Sequence, residues 1–225
     1  MPDLRPQVLI ADDHAIFAEA LRLFLEKSYR VVATVSDGRA LISAACKLTP
    51  DVIVVDIGMP LLNGLDAAQR IREQLPKVKL VFLTMQDDPN LAAAALELGS
   101  VAFVLKHSAG SELLSAIEQV LHGKNYLTPK LRSEDWVIMK RRAKQFSKDL
   151  TARQREIVQL WAEGHSLKQI GAHLNLSEKT VEFHKHHIME VYNLKSNADL
   201  VLFALKQGLI LLDRPIQKSK SPKYL

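Results

Sequence analysis

The chain has 225 residues, of which 48% are hydrophobic and 24% are charged, a composition typical of globular protein with one large domain or two small ones. Residues 1–122 contain 11 Lys and Arg against 15 Asp and Glu, a net charge of −4, whereas residues 123–225 contain 19 against 10, a net charge of +9. This asymmetry suggests a polyanionic partner for the second half, and the sequence has no 18-residue apolar run that would predict a membrane span.

The N-terminal residues and the cysteine content bear on the compartment. The sequence MPDLRPQVLIADD passes from a polar start into a strand-like run without a cationic segment or a cleavage-like site. Cys46 is the single cysteine, so it cannot pair within the chain, and its apolar neighbours predict a small core residue. These features predict a protein of the reducing cytoplasm.

Short runs rich in Val, Ile and Leu alternate with helix-forming stretches over the first half of the chain. The runs VLIA, VIVV, LVFL and AFVL are typical of strands buried on both faces of a parallel sheet. Stretches such as HAIFAEALRLFLEK have helical spacing, and Gly99 and Gly123 stand where helices would end. Strand and helix alternate five times over about 115 residues. This alternation predicts an α/β domain with a doubly wound, five-stranded parallel sheet.

Polar side chains stand directly after these strand-like runs. They are Asp12, Asp13, Asp56, Thr84 and Lys106. Because ligands of such sheets gather at the carboxyl ends of the strands, we expect these side chains to share one pocket. Polar residues also end strands without any function, but this combination of residue types favours a phosphoryl and metal site.

Neighbouring carboxylates repel one another, and a hard divalent cation offsets the repulsion. Mg²⁺ prefers oxygen ligands, so Asp13 and Asp56 are predicted as direct ligands and Asp12 as a ligand through water. The backbone carbonyl of Gly58 would complete the set.

The same pocket suits covalent chemistry. A carboxylate beside a cation can attack a phosphoryl group and form an acyl phosphate. Lys106 is a compact positive charge that would pair with one phosphoryl oxygen. The hydroxyl of Thr84 would donate a hydrogen bond to another.

A charged and weakly periodic stretch follows the predicted α/β domain. Residues 124–148 are interpreted as an interdomain linker, with a short helix around 135–144 in which Trp136 would dock on a domain. Residues 213–225 are basic and contain proline, which predicts a disordered tail.

Residues 149–212 contain four compact helical patterns and are predicted to form an all-α domain. Their start signals are capping boxes at Thr151–Gln154 and Ser166–Gln169 and N-cap residues at Ser177 and Ser196. A helix at 167–173, a turn at 174–176 and a helix at 178–192 have the layout of a helix-turn-helix, whose second helix enters the major groove of DNA. The last helix stops at Gly208.

The helix at 178–192 has an inward face and exposed faces. The inward face is predicted to contain Val181, His184, Ile188 and Val191. The other faces carry Lys179, Glu182, Phe183, His186 and Glu190. His184 is interpreted as a core histidine. Helical spacing scatters the HKHH run around the axis, which argues against a metal site there.

The segments IADD, VVDIGMPLLNG, FLT and FVLK resemble the receiver domain of two-component response regulators, and residues 1–123 are assigned to such a domain with a flavodoxin-like fold. The resemblance implies the following roles: Asp56 as the phosphorylated residue, Asp12 and Asp13 as the acidic Mg²⁺ pair, Thr84 as the switch hydroxyl, Lys106 as the phosphate partner and Phe103 as the switch aromatic. Phe103 has no hydroxyl where many relatives have Tyr, and Met85 stands where relatives often have a small residue.

The second half resembles the C-terminal helix-turn-helix of the LuxR/NarL class through LTARQREIV and SLKQIGAHLNLSEKTVEFH. Gln154 replaces the usual Glu and still completes a capping box. The positions at which relatives read bases are occupied by Glu182, Phe183 and His186. Phosphate contacts are predicted for Lys168, Lys179 and Lys185, although surface lysines are equally common without a ligand. Relatives use the last helix for dimerisation.

These features predict a NarL/FixJ-type response regulator, a DNA-binding transcription regulator rather than an enzyme. A sensor histidine kinase would phosphorylate Asp56 with Mg²⁺, and a homodimer would bind pseudo-palindromic double-stranded DNA and act on RNA polymerase. One alternative is a phosphorylation-independent regulator of the same fold, for which Phe103 and Met85 leave room. Another is an Asp-nucleophile phosphatase with a helical module, which the DIGMPLLNG spacing and the helix-turn-helix oppose.

Overall fold

The computed structural model describes residues 4–99, 101–131 and 150–211. The chain divides into two compact units, Met1–Asp149 and Leu150–Leu225, here called the first and the second unit. The predicted helix around 135–144 with Trp136 and the predicted tail at 213–225 lie outside the described residues. Within the described ranges, every helix is too short or too polar to cross a bilayer.

The first unit is built on one parallel sheet. Its strands are β1 (Gln7–Ala11), β2 (Arg30–Val35), β3 (Val52–Asp56), β4 (Lys79–Thr84), β5 (Val101–Leu105) and β6 (Tyr126–Leu127). Their order across the sheet is β2-β1-β3-β4-β5-β6, and all neighbouring pairs are parallel. The first five strands have the flavodoxin-like order, in which the direction of strand addition reverses between β1 and β3. The predicted α/β class is confirmed.

Helices cover both faces of this sheet. They are α1 (Ala15–Leu25), α2 (Gly38–Leu48), α3 (Gly64–Gln74), α4 (Pro89–Leu96) and α5 (Ala109–Leu121). Val8 and Ile10 of β1 share a buried cluster with residues of α1 and α5, and because strand side chains alternate, Leu9 faces the other side. Gly99 and Gly123 follow α4 and α5 with positive φ, as predicted.

The sheet has six strands rather than the five predicted. Tyr126 and Leu127 pair with Ala102 and Phe103 of β5, so the segment assigned to a linker begins inside the first unit. The hydroxyls of Thr128 and Tyr126 donate to Glu112 Oε2 of α5 at 2.7 and 3.1 Å. A strand of two residues has no periodicity, and its pairing therefore leaves no signal in the sequence.

The prediction that Cys46 is a core residue is wrong. Its side chain is exposed, and its Sγ lies 3.2 Å from Gln74 Oε1. Helix α2 buries Gly38, Leu41 and Ala45, which lie on one face, and Cys46 falls just outside that face.

The described residues of the second unit, 150–211, form a four-helix domain, as predicted. Its helices are α6 (Ala152–Ala162), α7 (Leu167–Leu174), α8 (Glu178–Val191) and α9 (Asn197–Lys206). Both predicted capping boxes and both predicted N-cap serines are present. Gly208 follows α9 with positive φ.

The predicted inward face of α8 is correct only in part. Val181 and Ile188 are buried, and His184 is half-buried beside the ring of Phe183. Val191, predicted to point inward, is 59% exposed because it is the last residue of the helix.

Candidate functional site

The carboxyl ends of four strands bring the predicted pocket residues to one edge of the sheet. Asp56 and Thr84 are the last residues of β3 and β4, while Asp12 and Lys106 directly follow β1 and β5. All four are buried. Since β1 and β3 are neighbours where the strand order reverses, this edge is where doubly wound sheets bind ligands. We call the group Asp12, Asp13, His14, Asp56 and Lys106 the acidic pocket.

Lys106 bridges two carboxylates of the acidic pocket. Its Nζ lies 2.8 Å from Asp56 Oδ2 and 2.9 Å from Asp12 Oδ2. Burial lowers the pKa of the Lys106 ammonium, but the two carboxylates together outweigh burial and raise that pKa above its ordinary value of 10.5. Lys106 is therefore held in its charged form against Asp56.

One ammonium does not balance the charge of this pocket. Burial raises the pKa of the Asp12 carboxyl, and the nearby Asp56 carboxylate raises it further. Attraction by Lys106 and a hydrogen bond that the His14 backbone N–H donates to Asp12 Oδ1 at 2.9 Å lower this pKa only in part. The ionised pocket thus lacks positive charge.

The donor atoms of the pocket fit a divalent cation. Asp12, Asp13, His14 and Asp56 each offer one ligand atom, and these atoms lie within 4.8 Å of one another. Three of the four are carboxylate oxygens, the donors that Mg²⁺ prefers. A cation here would stabilise the ionised form of Asp12, which the metal-free pocket disfavours.

Thr84 lies at the same edge, one position beyond Asp56. Asp56 is the register partner of Leu83, and Thr84 is the partner of Leu105, the residue before Lys106. Its hydroxyl accepts a hydrogen bond from the Gln86 backbone N–H at 3.1 Å. The hydroxyl is therefore tied to the loop that follows β4.

Gly58 and Phe103 occupy different surroundings. The Gly58 N–H donates to Asp56 Oδ1 at 3.0 Å, so the backbone of the next loop orients the carboxylate. Phe103 pairs with Phe82 in the sheet and is fully buried on the face away from α1 and α5. Strand β4 thus brings Thr84 to the pocket edge, and the loop after β3 brings Gly58 there. Phe103 belongs to the core.

The loop between β3 and α3 packs directly on the pocket. A Cβ on Gly64 would lie 2.1 Å from the backbone oxygen of Asp56, and the Gly64 N–H donates to the Ile57 carbonyl at 2.9 Å. A Cβ on Gly38 would lie 2.1 Å from the Leu62 carbonyl oxygen in the same loop. Both glycines are required because backbone approaches backbone at these points.

Sequence reasoning missed His14 as a member of the pocket. Its Nδ1 lies 3.3 Å from both Asp12 Oδ1 and Asp13 Oδ1 and 3.9 Å from Asp56 Oδ2. The one available signal was its position directly after the two aspartates. Gly38 was missed as well, because its partner Leu62 is distant in sequence.

The second unit has a tight turn between α7 and α8. Asn175 adopts a positive φ, and the Leu176 N–H donates to the Gly171 carbonyl at 2.9 Å. A Cβ on Gly171 would lie 2.7 Å from the Leu176 carbonyl oxygen. Gly171 therefore allows the close approach that gives a helix-turn-helix its geometry.

Comparisons with known proteins match both units. Residues 8–118 match the family described as response regulator receiver domain, and residues 148–204 match the bacterial regulatory proteins of the luxR family. The oxygen regulatory protein NreC of Staphylococcus carnosus (strain TM300) is 35% identical over 214 residues, which is 91% of this chain and 99% of that protein. The chain belongs to the two-component response regulators with a LuxR-type DNA-binding domain.

Other response regulators share this arrangement. The transcriptional regulatory protein DegU of Brevibacillus brevis is 30% identical over 223 residues, covering 91% of this chain and 94% of that protein. A structure of the Salmonella typhimurium response regulator RcsB is 27% identical, covers 90% of this chain and 98% of that chain, and gives a TM-score of 0.62. A structure of an RcsB–DNA complex is 26% identical, covers 88% and 98%, and gives a TM-score of 0.59.

The LuxR-type domain exposes most of the residues predicted to contact DNA. Along α8, Lys179, Glu182, Phe183 and His186 are exposed, and Lys168 is exposed on α7. The Phe183 side chain is 67% exposed. Its ring stacks on that of His187 at 6.3 Å between centroids.

Lys185 differs from the other predicted contacts of this domain. Its Nζ lies 3.6 Å from the ring centroid of Trp161 on α6, and the side chain is half-buried. Burial lowers the pKa of its ammonium, and Glu182 opposes that shift. Lys185 therefore connects α8 to α6 instead of extending into solvent.

Proposed function

We propose that this response regulator is switched by transfer of a phosphoryl group from a partner histidine kinase to Asp56, and that the switch controls its binding to DNA. The observation that carries the proposal is the contact of the Lys106 ammonium with Asp56 in a pocket of buried carboxylates. A structural ion pair needs neither a third carboxylate nor the strand-end hydroxyl of Thr84. Phosphoryl chemistry uses both.

Mg²⁺ is proposed as the cation of the acidic pocket. Asp13, Asp56 and the Gly58 carbonyl would hold it directly, and Asp12 through a water molecule. When bound, it supplies positive charge that a transferring phosphoryl group requires. The raised pKa of Asp12 supports this assignment, because a bound cation would offset both of its causes, burial first and the Asp56 carboxylate second.

The chain's own residues would carry the transfer as follows. The Asp56 carboxylate attacks phosphorus, the bond between phosphorus and the donor nitrogen breaks, and an acyl phosphate forms. The Lys106 ammonium exchanges its contact with Asp56 Oδ2 for a phosphoryl oxygen. The Thr84 hydroxyl turns from the Gln86 N–H to donate to a second phosphoryl oxygen. Movement of Thr84 then changes the packing around Phe103 and the face formed by α4, β5 and α5.

That change would free or pair the LuxR-type domains, so that a homodimer binds pseudo-palindromic double-stranded DNA. Glu182, Phe183 and His186 are proposed to read bases. Lys168 and Lys179 are proposed to contact phosphates, whereas Lys185, also predicted to do so, lies over the Trp161 ring and would reach a phosphate only by leaving it. The protein would act in the cytoplasm on RNA polymerase, as a regulator rather than an enzyme.

The phosphorylation site is tested by exposing the full chain to a small-molecule phosphodonor with Mg²⁺ and following the mass increment of one phosphoryl group. We expect Asp56→Asn to abolish it. Asp51→Asn is the matched control, because Asp51 is exposed and directly precedes β3, at the end of the strand opposite Asp56. This variant should be labelled normally. Continued labelling of Asp56→Asn would refute the assignment.

A phosphorylation-independent regulator of the same fold remains the second candidate. Phe103 lacks a hydroxyl and is fully buried, so a switch at this position has only ring packing to act through. Equal DNA affinity with and without the phosphodonor would favour this candidate.

A further inference from the structure

The imidazole of His14 points into the acidic pocket although the proposed chemistry gives it no task. Its Nδ1 lies 3.3 Å from Asp12 Oδ1, 3.3 Å from Asp13 Oδ1 and 3.9 Å from Asp56 Oδ2. The side chain is 47% exposed, so it forms the mouth of the pocket rather than part of the core. No side-chain hydrogen bond caps α1 at His14, so a role in starting that helix does not explain the placement.

These separations are those of atoms that share one metal ion. Ligand atoms about 2.1 Å from a cation are about 3.0 Å apart when adjacent in an octahedron and about 4.2 Å apart when opposite. The three distances from His14 Nδ1 fall between these values. Lys106 Nζ lies against Asp12 Oδ2 and His14 Nδ1 against Asp12 Oδ1, so the two nitrogens take different oxygens of Asp12. Both face Asp56 Oδ2, which Lys106 contacts at 2.8 Å while His14 stays 3.9 Å away.

We propose that His14 Nδ1 is a ligand of the divalent cation that Asp13 and Asp56 hold, and that the pocket therefore favours transition-metal ions such as Mn²⁺ and Co²⁺ beyond the preference of an all-oxygen site. This rests on the proposed function, because it takes the acidic pocket as the cation site. Imidazole nitrogen suits first-row transition metals, whereas Mg²⁺ takes oxygen and keeps its waters. Adding a nitrogen donor raises affinity for the first class and leaves Mg²⁺ nearly unaffected.

The test compares Mg²⁺, Mn²⁺ and Co²⁺ binding by calorimetry on the full chain, purified without a polyhistidine tag. We expect His14→Ala to weaken Co²⁺ binding at least about tenfold, the lower end of what perturbing a metal site costs, and to change Mg²⁺ affinity less than about twofold. His122→Ala is the matched control, because His122 is the exposed residue after α5 and its Nδ1 lies 2.8 Å from the Glu118 carbonyl oxygen. It should behave as the unchanged chain.

A spectroscopic measurement makes the result independent of folding effects. Pulsed electron paramagnetic resonance of the Mn²⁺-loaded chain should show a directly bound nitrogen that disappears in His14→Ala and persists in His122→Ala. An unchanged Co²⁺ to Mg²⁺ affinity ratio in His14→Ala, or no bound nitrogen in the unchanged chain, would overturn the role of His14 and leave Asp56 phosphorylation standing. A chain that binds none of the three ions would overturn the cation site itself.

Discussion

Asp12 is the carboxylate of the acidic pocket whose pKa is raised. Because its pKa is raised in the folded chain by burial and by Asp56, the folded state retains a proton that the unfolded state releases above the ordinary value of 3.8. Stability is therefore lost as pH rises from 3.8 through the raised pKa and stays low at neutral pH. The pocket is strained by its own charge when no metal is bound.

Replacing Asp12 by Asn removes this ionisation while keeping the shape of the side chain. In chelator, we expect Asp12→Asn to raise the free energy of unfolding at pH 7, with the gain shrinking towards zero as pH approaches 3.8. Asp87→Asn should behave oppositely, because a hydrogen bond from Lys130 lowers the pKa of Asp87 and the stability it contributes is lost as pH falls. Urea titrations across pH measure both. A lower free energy of unfolding of Asp12→Asn at pH 7 would show that the ionised Asp12 carboxylate stabilises the fold.

Gly64 tests the packing of the loop against the phosphoacceptor. A Cβ there would meet the backbone oxygen of Asp56 at 2.1 Å, and neither backbone segment can yield without moving Asp56. We expect Gly64→Ala to destabilise the chain by about 2 kcal/mol and to reduce phosphorylation of the remaining folded protein. Gly110→Ala is the control, since a Cβ in that exposed helical position meets nothing within 4 Å and should stabilise by about 1 kcal/mol. Equal effects of the two changes would refute the packing argument.

At the scale of elements, the recognition helix α8 is fixed to α6 by the contact between Lys185 and Trp161. A cation over an indole ring stabilises by about 1 kcal/mol when partly desolvated. Lys179, by contrast, is the exposed second residue of the same helix. The two lysines therefore differ in what their removal should do.

We expect Lys179→Gln to reduce the slope of log affinity for DNA against log salt by about 0.9, the value for one lost phosphate contact. Lys185→Gln should reduce that slope by clearly less and lower the free energy of unfolding by about 1 kcal/mol. Fluorescence anisotropy of labelled DNA and urea unfolding give the two quantities. Lys47→Gln, an exposed change on α2, should alter neither. Equal slopes for Lys179→Gln and Lys185→Gln would show that Lys185 leaves the ring on DNA.

The elements also show what the sequence can and cannot predict. Strand ends, capping boxes and helix-ending glycines are local patterns, so the doubly wound sheet, the gathering of Asp12, Asp56 and Lys106, and the four-helix domain were predictable. Strand β6 was not, because its two residues pair with β5 through backbone alone. The prediction for Cys46 depended on the exact angle around a helix, and the one for Val191 depended on where the helix ends.

Contacts between residues distant in sequence likewise could not be predicted from the sequence. The packing of Gly38 on Leu62 and of Lys185 on Trp161 depends on how helices meet. The direction of the His14 ring depends on a side-chain torsion that no pattern encodes. The sequence thus predicted which elements carry the pocket, but only the structure showed that His14 belongs to it.

For the whole molecule, the division of charge separates two ways in which phosphorylation acts on DNA binding. The acyl phosphate carries roughly −1.5 to −2 charges where the Asp56 carboxylate carried −1, so phosphorylation adds up to about one negative charge to a half of the chain that already carries −4. If the added negative charge acted only by repelling DNA, phosphorylation would weaken the binding of DNA. If phosphorylation pairs two chains, the number of neutralised phosphates per complex doubles and the salt dependence steepens with it.

We expect the second outcome. With phosphodonor and Mg²⁺, the slope of log affinity against log salt should become about twice as steep on a pseudo-palindromic site, because two LuxR-type domains then contact one DNA. Asp56→Asn should keep the shallower slope under the same conditions. This variant therefore separates the effect of phosphorylation from any direct effect of the phosphodonor on DNA binding. Anisotropy titrations between about 50 and 200 mM salt resolve the difference. A tighter complex with an unchanged slope would instead indicate that phosphorylation releases a single DNA-binding domain, and identical curves in every condition would favour the phosphorylation-independent regulator.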